Sequence, residues 1–122
     1  MKKLPLLLAL VLFCVTAAAP AAGAAPAAPA ARRPVKVACV GNSITYGYGI
    51  AGRETRSYPA QLQRMLGDGY LVGNFGKSGA TLLRRGHRPY NEQPECAEAL
   101  AFAADIVVIH LGINDTDPRD WP

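Results

Sequence analysis

Three short apolar runs divide this chain, and each breaks off into glycine and small polar residues. Val35-Lys36-Val37-Ala38-Cys39-Val40 leads into Gly41-Asn42-Ser43-Ile44-Thr45. A second run ends in Asn74-Phe75-Gly76-Lys77-Ser78-Gly79, and Ile106-Val107-Val108-Ile109-His110-Leu111 leads into Gly112-Ile113-Asn114-Asp115. Their length and continuity predict strands at 35–40, 70–75 and 106–111. The first suits a strand covered on both faces, as in a parallel sheet. The intervening pattern is helical. Ser57 is placed to cap a helix running to about Leu66, with Pro59 in its first turn and Gly67 as its stop. Tyr58, Leu62, Met65 and Leu66 fall close to one face of that helix, which would pack on the sheet. Pro94 opens a second helix over 95–103, and Glu95 and Glu98 suit its positive N-terminal end. Residues 41–56 read as a loop rich in glycine (Gly47, Gly49, Gly52). Residues 76–93 read as a long loop with a short helical turn at 80–85. Thr116-Asp117-Pro118 reads as the entry to another helix.

Strand-helix-strand-helix-strand with short links calls for right-handed crossovers and a parallel sheet between helical layers. The expected fold is therefore α/β. Ligands of such sheets bind at the carboxyl ends of the strands, where all three polar blocks lie.

The first third of the chain is different. Met1-Lys2-Lys3 is a basic start, 4–15 is an apolar core too short to span a bilayer, and small residues follow. That is the layout of a secretory signal peptide, cleaved after Ala17 or Ala24. A lipid anchor on Cys14 is disfavoured by bulky Phe13 before it. Residues up to 33 are almost wholly Ala, Pro and Gly and read as a flexible linker. The expected organisation is 1–24 signal peptide, 25–33 linker and 34–122 folded domain, with the product secreted or periplasmic and free of any integral membrane span. Lys2, Lys3, Arg32 and Arg33 lie outside that domain, so the net charge of +4 for the 122 residues overstates its basicity. Arg84-Arg85-Gly86-His87-Arg88 is a local basic cluster. No nucleic-acid motif accompanies it, and it reads as a solvated loop. Cys39 reads as a small buried strand residue and Cys96 as a helix residue. No Cys/His spacing suggests zinc, so neither metal nor organic cofactor is expected. Neither glycine-rich phosphate motif occurs in the loop at 47–52.

Ester hydrolysis needs a nucleophile, a base and donors for the oxyanion of the tetrahedral intermediate. Ser43 is the candidate nucleophile, and its own backbone N–H is one candidate donor. Gly79 offers a second N–H on a main chain that can approach substrate closely, with Gly76 as the alternative. Asn114 offers a side-chain amide. Each block alone is an ordinary turn after a strand. His87 lies in the basic loop and His110 inside an apolar run, where it reads as a packed sheet residue. No Asp in the chain precedes a His by three positions.

The blocks Gly-Asn-Ser-Ile-Thr, Asn-Phe-Gly-Lys-Ser-Gly and Gly-Ile-Asn-Asp, in this order, resemble those of the SGNH (GDSL-type) hydrolases. The resemblance covers about residues 35–120, with Asn42 where the name-giving motif has Asp. It implies a flavodoxin-like three-layer α/β/α fold with strand one between strands two and three, incomplete here at the C-terminus. It implies Ser43 as nucleophile and Ser43, Gly79 and Asn114 as oxyanion donors. The family's Asp-x-x-His block would lie beyond Pro122, so this chain alone is expected to be inactive. The phrases Tyr-Pro-Ala-Gln-Leu-Gln, Ser-Gly-Ala-Thr-Leu-Leu and Leu-Gly-Ile-Asn-Asp-Thr look most like bacterial sialate O-acetylesterase-like members. They suggest a small-molecule or glycan ester as substrate, with O-acetyl groups removed from carbohydrate. The rivals are a non-catalytic carbohydrate-binding module on the same fold and a nucleotide-binding flavodoxin-like domain. The G-x-S-x-G elbow of α/β-hydrolases is absent.

Overall fold

The structure is a computed structural model that describes residues 32–120. The expectations for the signal peptide and for most of the linker lie outside the described residues. Strands β1 (Val35–Gly41), β2 (Tyr70–Gly76) and β3 (Ile106–His110) form one parallel sheet in the order β2-β1-β3. The apolar runs therefore became strands, within one residue of their expected ends. β1 is central, and Val37, Ala38, Cys39 and Val40 are all buried. A continuous apolar run is what a strand with neighbours on both edges and cover on both faces requires.

Two four-residue helical turns, α1 (Ser43–Tyr46) and α2 (Arg53–Arg56), fill the first loop. Helix α3 (Tyr58–Leu66) carries the chain to β2, and α4 (Pro94–Phe102) carries it to β3. The two long helices lie on opposite faces. Val72 and Asn74 of β2 line a cavity with Ala60 and Gln63 of α3. Phe75, whose side chain takes the other face, meets Phe102 of α4 with ring centroids 5.2 Å apart. That is the three-layer arrangement.

Capping follows the punctuation in part. Gly67 ends α3 at a φ of +71°, where a side chain would be strained. Ser57 holds the N-cap position, but its side chain makes no capping bond. Its carbonyl accepts from Gln61 N–H instead. Met65 departs from expectation, being 83% exposed while Tyr58, Leu62 and Leu66 are half-buried. Those three, at spacing four, already form the stripe that meets the sheet, and Met65 lies at its flank.

The loop after β2 holds no helical turn at 80–85. It doubles back, so that Thr81 N–H donates to Arg88 O and Tyr90 N–H to Thr81 O. Tyr90 is buried and its hydroxyl donates to Phe75 O at 2.7 Å, which pins the loop to the end of β2. After β3 the chain makes two 3-10 turns, Ile113–Thr116 and Pro118–Asp120, in place of the expected helix entry.

Candidate active site

The strand register brings the three blocks together. Gly41 at the tip of β1 pairs with Gly76 on one side and His110 on the other. Two further bonds extend the ladder past the strands, Lys77 N–H to Gly41 O at 2.8 Å and Asn42 N–H to His110 O at 3.2 Å. The serine turn is thus tied to both neighbouring loops through its own backbone.

The glycines explain how the turn fits. A Cβ on Gly76 would lie 2.1 Å from Tyr46 N, and one on Gly41 would lie 2.0 Å from Thr45 Oγ1. Helix α1 therefore rests directly on bare backbone at the sheet's end. Asn42 caps it, with Oδ1 accepting Ile44 N–H at 3.0 Å, as an aspartate carboxylate would. Asn42 is fully buried and its Nδ2 has no partner among the described residues. Behind it, Thr45 is held by the Tyr58 hydroxyl at 3.1 Å. Burial pushes the Cys39 thiol of β1 above its usual range, against a smaller opposing pull from Tyr58, which keeps it protonated and inert at neutral pH.

Ser43 is the first residue of α1 and half-buried. Neither its N–H nor its Oγ has a hydrogen-bond partner among the described residues. A first-turn N–H has no intrahelical acceptor, so it is free to meet an oxygen from outside. Lys77 to Ala80 form a tight turn closed by Ala80 N–H to Lys77 O at 3.1 Å, with Gly79 at φ +78°. That is the conformation a type II turn needs at its third residue, and it leaves Gly79 N–H without an acceptor among the described residues. Gly76 differs: its N–H already donates to Asn74 Oδ1 at 3.0 Å.

Asn114 donates one amide hydrogen to Ala80 O at 2.8 Å, and the amide's second hydrogen remains available. Asp115, buried beside it, accepts from Leu82 and Leu83 N–H at 2.9 and 2.6 Å. These bonds fasten the third block onto the second. Gly79 and Asn114 share a cavity of about 360 Å³ with Thr116, Asp117, Arg119 and His87. A larger cavity of about 590 Å³ lies along the flank of β2, where the Arg53 guanidinium covers the Tyr46 ring at 3.8 Å. It is lined by none of Ser43, Gly79 and Asn114.

Residues 39–122 match the model of the GDSL-like Lipase/Acylhydrolase family. The chain belongs to that family. An acetylxylan esterase of Xylanibacter ruminicola is 54% identical over 87 residues, covering 71% of this chain. The chain spans 18% of the length of that relative. A mutant of the esterase AlinE4 superposes over 70% of this chain and 44% of its own, at 23% identity and a TM-score of 0.48.

The histidines are where the sequence reading needs correction. His110 sits in β3 opposite Gly41, but it is exposed rather than packed. His87 is not a free loop residue. Its ring nitrogen Nδ1 lies 3.1 and 3.3 Å from the two carboxylate oxygens of Asp120. Its backbone N–H donates to the same carboxylate at 2.6 Å. Neither histidine bonds to Ser43. Arg88 stays exposed, as do Arg84 and Arg85, but donates to Ser78 O at 2.8 Å beside Gly79. No spacing signal announced either contact, because the partners of the loop lie up to 33 positions away.

Proposed function

We propose that this chain carries the nucleophile and oxyanion donors of an exported serine ester hydrolase that removes O-acetyl groups from carbohydrate. Ser43 Oγ attacks the ester carbonyl as a general base takes its proton, the same group returns that proton to the departing alcohol, and water, deprotonated in turn, cleaves the acyl-enzyme. The carbonyl oxygen, now an oxyanion, is met by Ser43 N–H, Gly79 N–H and the second amide hydrogen of Asn114. The observation that carries this reading is the pair of unpartnered main-chain N–H groups, Ser43 and Gly79, on turns joined to one another at the strand ends. Such donors are fixed before substrate arrives, so they cost no reorganisation during reaction. The carbohydrate ester is favoured by the relative named an acetylxylan esterase. Export rests on the basic start and apolar core of residues 1–15.

Replacing Asn114 by Ala should lower kcat in the full-length protein about 100- to 1000-fold and change KM little, because an oxyanion donor acts in the transition state. Steady-state kinetics on p-nitrophenyl acetate read this directly. A rise in KM at constant kcat would make Asn114 a ground-state binding residue. For export, intact mass of protein from the periplasm or medium should show a start between Ala18 and Ala25. Uncleaved protein in the cytoplasm would defeat that part of the reading.

A further inference from the structure

The cavity beside Gly79 and Asn114 contains an imidazole that the ester mechanism above does not use. His87 is held there at unusual expense. The Asp120 side chain is 1% exposed, and its carboxylate is committed to the backbone N–H and to Nδ1 of this one residue. A buried carboxylate needs such partners, and a loop histidine that merely faced water would not need the carboxylate.

The pairing also sets the chemistry of the ring. A carboxylate only accepts, so the nitrogen facing it carries the proton. In the neutral imidazole the other nitrogen, Nε2, is then a hydrogen-bond acceptor. Nε2 has no partner among the described residues, and the ring lines the same cavity as Gly79 and Asn114, two of the three candidate oxyanion donors; Ser43 is not among its lining residues. An acceptor fixed there asks for a donor on the ligand. Apart from Ile113, the rest of the wall is polar and mixed in sign: Thr116, and the Asp117 carboxylate that takes both Nε and Nη2 of Arg119. Such a wall suits a polyhydroxylated ligand better than an acyl chain.

We infer that His87 is a specificity residue whose Nε2 accepts a hydrogen bond from a hydroxyl on the alcohol part of the ester, next to the acetylated position. Asp120 is its positioning residue, fixing the tautomer and the plane of the ring. This deepens the carbohydrate-ester reading and rests on it. No covalent step is involved.

The ring-nitrogen signals of His87 and His110 are assigned by replacing each in turn, His87→Gln and His110→Gln. In ¹⁵N-labelled full-length protein, His87 should show protonated Nδ1 and bare Nε2, and Asp120→Asn should shift that balance. Titration with a xylo-oligosaccharide should move the His87 Nε2 signal saturably and leave His110 in place. In kinetics, His87→Ala should lower kcat/KM for an acetylated xylo-oligosaccharide about tenfold more than for p-nitrophenyl acetate, which offers no hydroxyl; tenfold is the effect of losing one neutral hydrogen bond. His87→Gln keeps an acceptor and should recover part of the difference, and it replaces His87→Ala if that variant fails to fold. Equal losses on both substrates, or saturable binding of the sugar without a His87 response, would overturn the assignment while leaving the esterase reading intact. Absence of any Ser43-dependent hydrolysis would instead sink the esterase reading, and the nitrogen titration would then decide on His87 alone.

Discussion

Ser43→Ala in the full-length protein should abolish turnover of p-nitrophenyl acetate and leave the fold unchanged. On the proposed mechanism the hydroxyl is the atom that forms the acyl-enzyme. Loss of the nucleophile in serine hydrolases costs on the order of 10⁶ in kcat. The fold should not notice. Ser43 Oγ bonds to nothing among the described residues, so no partner is stranded by its removal. Asn42 provides the cap of α1 whatever follows it. The melt should therefore stay within about 0.5 kcal/mol of the parent, as for other substitutions that touch no special feature. A folded Ser43→Ala protein with normal turnover would remove Ser43 from the mechanism.

Gly76→Ala should be the most damaging single methyl group that can be added to this domain. The added carbon would lie 2.1 Å from Tyr46 N and 2.7 Å from Thr45 C, both backbone atoms. No side chain can swing aside to make room. Either α1 lifts off the sheet or β2 bends, and the expected loss is about 3 kcal/mol, the upper part of the overpacking range. Activity should fall as well, because α1 carries Ser43. Gly69→Ala is the matched control. Its Cβ would meet nothing within 4 Å and its φ is not positive, so its melt should be close to the parent's. If the two variants melted alike, the close approach between α1 and β2 would be wrong.

The sequence made some of this architecture plain and hid the rest, for physical reasons. β1 was visible because a central strand must be apolar on both faces. The start of α4 and the end of α3 were visible because Pro94 and Gly67 can do little else there. The Ser43, Gly79 and Asn114 turns could be marked as candidates because each follows a strand and needs small or amide residues. Gly76 could not be told from Gly79 by composition. The bond from its N–H to Asn74 Oδ1, its place under α1 and the positive φ of Gly79 separate them. The loop from Lys77 to Gln93 was opaque because its order comes from carboxylates far along the chain. Asp115 takes Leu82 and Leu83, and Asp120 takes His87. Such side-chain-to-backbone bonds have no period and leave no local trace. They bring one member of the basic cluster, His87, to the wall of the cavity, while Arg84, Arg85 and Arg88 stay exposed.

The contact between α1 and the bare backbone of Gly41 and Gly76 has a consequence for how such a domain can diversify. The seat of the serine turn is made of main-chain atoms, and its two neighbouring loops are stitched to it by main-chain bonds. Substitution at Ile44, Tyr48 or Ile50, whose side chains are exposed, leaves that seat untouched. The exposed side chains around the serine turn can therefore vary without disturbing the main chain beneath them. The same arrangement makes the glycines a toll-gate, since drift at either would strike the reaction and the fold together.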